Sequence, residues 1–131
     1  MQTFIPSLDP VTGLLRLDRD QSQKFKLMRK SQQDAFYDKL HEELVKAVPV
    51  EPERLTTARK SQQQQIDGTE YYLLSFTIQP SKNTSERIPE KISDDMNTLI
   101  RYKTISSMSA FETTSTLDED YGFAPKGKLS I

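Results

Sequence analysis

The segment YYLLSFTIQ, Tyr71–Gln79, constrains this chain more than any other. Tyr72, Leu74, Phe76 and Ile78 alternate with Tyr71, Leu73, Ser75 and Thr77, a period of two that gives an extended strand one apolar and one mixed face. Such a strand needs a ladder partner, because its backbone donors and acceptors cannot be left unpaired. The nearest candidate lies across Asp67-Gly68, a dipeptide that favours the tight two-residue hairpin turn. The spacing therefore predicts a hairpin with Arg54–Gln65 as its other arm. That arm contains the run Gln62–Gln65, so its polar face is expected toward solvent, as an antiparallel sheet allows on one side.

Elsewhere the period is helical. Phe25, Met28, Gln32, Phe36, Leu40, Leu44 and Val48 recur every three or four residues, which predicts a helix from Gln21 that Pro49 and Pro52 end. In an alternative reading, KFKLM, Lys24–Met28, is a short strand and the helix starts at Ser31, where Ser31 and Asp34 have capping-box spacing. A second helix is expected with Ile88, Ile92, Met96, Leu99 and Lys103 on one stripe and Ile100 beside it. Pro89 suits its first turn, and Thr84 or Ser85 its N-cap. Ile105–Asp118 is rich in β-branched and hydroxyl residues, with Met108, Ala110 and Thr114 alternating, and reads as a third strand. Met1–Asp20 carries Pro6, Pro10 and Gly13 without a period. It reads as an extended lead-in held at Phe4, Ile5 or Leu14. The expected organisation is a lead-in over 1–20, one α+β domain over 21–123 and a tail over 124–131.

Length agrees: 131 residues support one core. Lys plus Arg number 18 against 19 Asp plus Glu, so no field of one sign exists to recruit nucleic acid. Cysteine is absent, which removes disulfides, thiolate ligands and thiol nucleophiles. The opening MQTFIPSLDP does not read as a secretory signal, and the apolar burst Tyr71–Leu74 is too short to span a bilayer. The residues as given describe a soluble chain, or a domain of a longer one.

Candidate chemistry is sparse. His41 falls off the apolar stripe and has no second histidine, so a solvated side chain is expected and zinc is not. Asp118, Glu119 and Asp120 lack the spacing of a calcium loop and read as a solvated turn. Glu42 and Glu43, like Asp94 and Asp95, are neighbours on helices and point apart, which is poor geometry for paired acid-base work. Lys24–Lys30 mixes cations with Phe25, Leu27 and Met28 and reads as a solvated helix face, or as a docking face for a partner. No glycine-rich phosphate loop or nucleophile elbow occurs, and no cofactor or metal is expected. Asn83-Thr84-Ser85 is an N-glycosylation triplet in the expected loop before the second helix.

Taken together, LHEELVKAVPVEPERL, the alternating YYLLSFTI, ISDDMNTLIRYK and SMSAFETTSTLDEDYGF resemble SEA-type modules, the juxtamembrane domains of tethered mucins and dystroglycan-like surface proteins. The likeness spans Ser31–Phe123. Pro52–Leu55, Tyr72–Ile78 and Leu117–Phe123 are most similar to the fungal variants. The resemblance implies a ferredoxin-like sandwich with two helices on one face of an antiparallel sheet, in the order α-β-β-α-β. It leaves room for an opening strand, which KFKLM would supply. It implies a non-enzymatic spacer or protein-interaction role outside the cell beside a membrane-anchored remainder; a complete chain would instead suit a cytoplasmic adaptor. Some members cleave themselves at a Gly-Ser bond in the turn between two strands. The matching step is Gly68-Thr69, where the bulkier threonine and a relaxed Asp-Gly turn lead us to expect an intact bond.

Overall fold

The computed structural model describes residues 9–83 and 86–126. The elements run β1 (Val11–Arg16), α1 (Arg19–Leu27), α2 (Lys30–Ala47), β2 (Leu55–Thr56), β3 (Ser61–Ile66), β4 (Thr69–Ile78), α3 (Pro89–Arg101) and β5 (Phe123–Pro125). The five strands form one antiparallel sheet in which β4 pairs β1, β1 pairs β5, and β2 and β3 both pair β4. The helices pack on the sheet, giving the α+β class that the sequence implies and an arrangement consistent with the ferredoxin-like sandwich that the resemblance implies.

The core forms where the two periods meet. Tyr72, Leu74, Phe76 and Ile78 of β4 are buried on the helix side with Leu15 and Leu17, and against them pack Phe25, Tyr37, Leu40, Leu44, Ile92, Met96 and Ile100. Phe25 is the hub of an aromatic group: its ring lies 5.6 Å from Phe36, 6.1 Å from Tyr37 and 5.3 Å from Tyr72. Leu14 and Leu73 are buried as well but stand outside that cluster, as the alternation requires of residues on the other face.

Several expectations are corrected. Val11–Arg16 is no lead-in but a strand between β4 and β5, so the opening strand comes from here and not from KFKLM. Leu14 is held in the sheet, whereas Phe4 and Ile5 lie outside the described residues. Lys24–Leu27 is helical; Met28 at φ −74°, ψ 144° breaks the helix, and Gln32 Oε1 accepts the Arg29 N–H at 2.8 Å to restart it. Because of that break Gln32 is exposed and Tyr37 takes the buried position, and Ser31 and Asp34 form no cap. The N-cap of α3 is Ile88, followed by Pro89; Thr84 and Ser85 lie outside the described residues.

The largest correction concerns Ile105–Asp118, which is a series of 3₁₀ turns instead of a strand. Its hydroxyls bond nearby backbone: Ser106 Oγ donates to Leu99 O, Thr114 Oγ1 to Met108 O and Thr116 Oγ1 to Thr113 O, each at 2.6 Å. Such bonds offer the backbone an alternative to a ladder. The last strand falls later, so Ala124 and Pro125 of the expected tail pair with Leu14 and Gly13.

Candidate functional site

The β3–β4 hairpin brings together the residues that the sequence singles out. Asp67 at φ 49° and Gly68 at φ 80° both occupy the left-handed region, the combination that a two-residue type I′ turn requires and that matches strand twist. Ile66 and Thr69 pair directly across it. A Cβ on Gly68 would meet nothing within 4 Å, so packing does not press on the Gly68-Thr69 step.

A polar cleft of about 240 Å³ lies between α1 and this turn, walled in part by Arg19, Lys26, Thr69 and Glu70. Glu70 is already engaged there. Its Oε1 is shut off from solvent with Lys26 Nζ at 3.4 Å, an ion pair without a hydrogen bond, and its Oε2 accepts from Gln65 Nε2 at 3.3 Å.

β3 is the feature of this hairpin that faces outward. Among the described residues it pairs with β4 alone, and its residues are exposed apart from half-buried Gln64. Lys60 O accepts from Ser75 N at 3.4 Å. By the alternation of an antiparallel ladder, the even-numbered main-chain groups then face β4, and those of Ser61, Gln63 and Gln65 face away from the sheet. Ser61–Ile66 contains no charge and no proline, and its register is unbroken. Charges, prolines and bulges are the usual guards of an edge strand. The stretch before it is guarded: Arg59 has φ 55°, Thr57 Oγ1 donates to Ser75 O at 2.7 Å, and the Arg59 guanidinium binds Asp38 Oδ1 at 2.5 Å. At the far side of the sheet, β5 has three residues and ends in Pro125.

A second cluster closes the opposite side. Arg16 Nε and Nη2 both lie 2.9 Å from Asp118 Oδ2, and Arg16 Nη1 donates to Gln64 Oε1 at 3.0 Å. The guanidinium carbon stands 4.9 Å from the ring centres of both Tyr71 and Tyr121, a doubly stacked cation. Burial pushes the Tyr121 phenol above its ordinary pKa, with the Arg16 charge acting in the other direction. Main-chain bonds from Asp18 N to Thr116 O and from Asp118 N to Arg16 O complete the clasp. The Leu117–Phe123 signature is thus the fastening of β1 to the end of the domain. Asp118 serves that fastening, and among the described residues no group of three or more His, Asp or Glu is placed to hold a metal ion.

The other sequence candidates are scattered. His41 is half-buried, not solvated: its Nε2 lies 2.7 Å from Leu55 O and 3.0 Å from Pro52 O. Carbonyls only accept, so this nitrogen carries the proton. Lys24, Lys26, Arg29 and Lys30 are exposed around Leu27, which is 84% exposed. Asn83 is exposed, whereas the other two residues of its triplet lie outside the described residues. Two residues that the sequence does not single out prove central to the structure: Arg16, and buried Arg54, whose Nε donates to Gln79 O at 3.0 Å and Nη2 to Arg87 O at 2.6 Å. The period-two set Val11, Gly13, Leu15 and Leu17 is the signal that could have placed Arg16 on the outer face.

No protein-family model, no curated protein and no solved structure matches this chain.

Proposed function

We propose that this chain is a SEA-like ectodomain that turns over no substrate and serves as a folded spacer or protein-interaction module of a cell-surface protein. The observation that supports this most is the commitment of its reactive side chains to the fold. His41 bonds two carbonyls, Glu43 two amides, Asp118 an arginine and Glu70 a lysine. An active site would instead converge such groups on a shared cleft. The sandwich and the hairpin turn agree with what the resemblance implies. In this reading Asn83 bears a glycan, and the anchor belongs to the remainder of a larger chain, since no described helix is long and apolar enough to cross a membrane.

Exposed Leu27 among Lys24, Lys26, Arg29 and Lys30 favours a second reading, a cytoplasmic adaptor that docks a protein partner on the α1 face. Expression behind a secretory leader in eukaryotic cells separates the two. The ectodomain reading expects a folded, secreted product whose gel mobility shift disappears on deglycosylation and in Asn83→Gln. Retention and degradation of the secreted form, with correct folding of the same chain made in the cytosol, would overturn it.

A further inference from the structure

We propose that two copies of this chain pair through β3, edge to edge and antiparallel, into a closed two-fold dimer with one continuous sheet. The inference rests on the interaction-module reading and names the partner. Among the described residues, the main-chain donors and acceptors that Ser61, Gln63 and Gln65 present outward are unpaired, on a strand without the charges, prolines or bulges that keep edges apart.

The occupant follows from chemistry and symmetry. A two-fold axis normal to the sheet keeps every side chain on its own face, so odd-numbered residues meet odd-numbered residues. Gln63 then lies opposite the second copy's Gln63, and Ser61 opposite its Gln65, which uses every outward group of the strand on both sides. Glutamine amides both donate and accept, so like meets like without repulsion. The strand is also polar in the charge sense: Arg59 and Lys60 precede it and Asp67 follows it. Antiparallel pairing sets the basic start of each strand beside the acidic end of the other, whereas a parallel pairing would set like charges together. The assembly stops at two, because β5 at the other edge is short and ends in Pro125, which has no N–H to extend a ladder.

Sedimentation of the purified chain over a range of concentrations tests this. The expected result is a shift from one to two chain masses, with no larger species. Gln63→Pro removes an outward N–H without touching a β4 bond and should abolish the two-chain species while the far-ultraviolet circular dichroism stays native. A cross-link provides a readout that does not depend on how the proline variant folds. The chain has no cysteine, so Gln63→Cys should oxidise to a linked dimer, and Thr98→Cys, on an exposed position of α3, should not. A monomer at every concentration, a dimer that survives Gln63→Pro in folded form, equal cross-linking of the two cysteine variants, or growth beyond two chains would each overturn the proposal. A secreted, glycosylated monomer would overturn the dimer alone and leave the ectodomain reading standing; a dimer that folds only in the cytosol would do the reverse.

Discussion

Glu43 Oε1 accepts the backbone N–H of Thr114 at 2.9 Å, and that of Thr113 at 2.7 Å, joining the C-terminal part of α2 to the 3₁₀ segment near the end of the domain. Glu43 as a residue is 5% exposed. Two amides that no ladder satisfies are thereby capped by one charged acceptor, a bond type stronger than its neutral counterparts. Lys103 Nζ secures the same segment from the other side, donating to Ser115 O and Leu117 O.

Removal of that acceptor should loosen the whole segment. Glu43→Ala leaves buried donors unpaired and is expected to cost about 3 kcal/mol, whereas Glu43→Gln keeps a neutral acceptor and should cost about 1 kcal/mol. Urea unfolding of the three proteins measures the order. Equal stability of the alanine variant and the parent would refute the capping role.

Tyr37 presents the opposite case. Its hydroxyl is buried and, among the described residues, has no partner at hydrogen-bond geometry. Burial raises its pKa well above the ordinary phenol value of 10.0, with the Ser61 side chain acting the other way and Asp34 reinforcing the rise. The folded state therefore holds this proton where the unfolded chain releases it, so stability should be full below pH 10 and fall as pH rises above it. Tyr37→Phe should match or exceed the parent at neutral pH, within about 1 kcal/mol, and should flatten the alkaline decline. Urea midpoints measured from neutral to alkaline pH decide it.

Gly13 has a steric reason to be glycine. A Cβ there would lie 2.4 Å from the Phe123 ring, and Phe123 is itself buried. Gly13→Ala must push that ring aside and is expected to cost about 2 kcal/mol, in the range of core overpacking. Hydrogen exchange should show the loss concentrated in β5 amides; protection unchanged there would count against the contact.

At the hairpin, Gly68→Ala should cost about 1 kcal/mol, because φ 80° penalises any L side chain even though the space is open. The parent's Gly68-Thr69 bond is expected to stay whole. A single full-length band on a denaturing gel after long incubation of the folded protein is the check, and two fragments meeting at that bond would contradict it.

The hairpin was legible because both of its determinants are local: the alternation of Tyr71–Ile78 and the turn preference of Asp67-Gly68 sit within a few residues of each other. α3 was legible for the same reason, its stripe being uninterrupted from Ile92 to Ile100. Val11–Arg16 hid because Gly13 occupies one of its apolar positions, and the surface missing there is supplied by Phe123 from the other end of the domain. The 3₁₀ segment hid because serine and threonine suit strands and turns alike, and the choice was made by distant groups such as Glu43 and Lys103. At the candidate site, the polarity of Gln62–Gln65 could be read directly. Which of those residues turn their backbone outward follows only from the register with β4, and the Arg16 clasp follows only from the meeting of β1 with Asp118 and Tyr121.

The pairing of β1 with β5 also bears on how the molecule would carry tension. Gly13 opposite Pro125 and Lys126 N bonded to Thr12 O put residues 12 and 126 side by side at one end of the sheet. A pull through those two points does not slide the strands along each other, which would load every rung at once. It opens them like a zipper, one rung at a time, from Pro125 toward Phe123. The first structure to give way would be a three-residue strand plugged by one phenylalanine, leaving the β1–β4–β3 sheet folded behind it. Under load this domain would act as a low-force, resealable extension, with Phe123 as its latch.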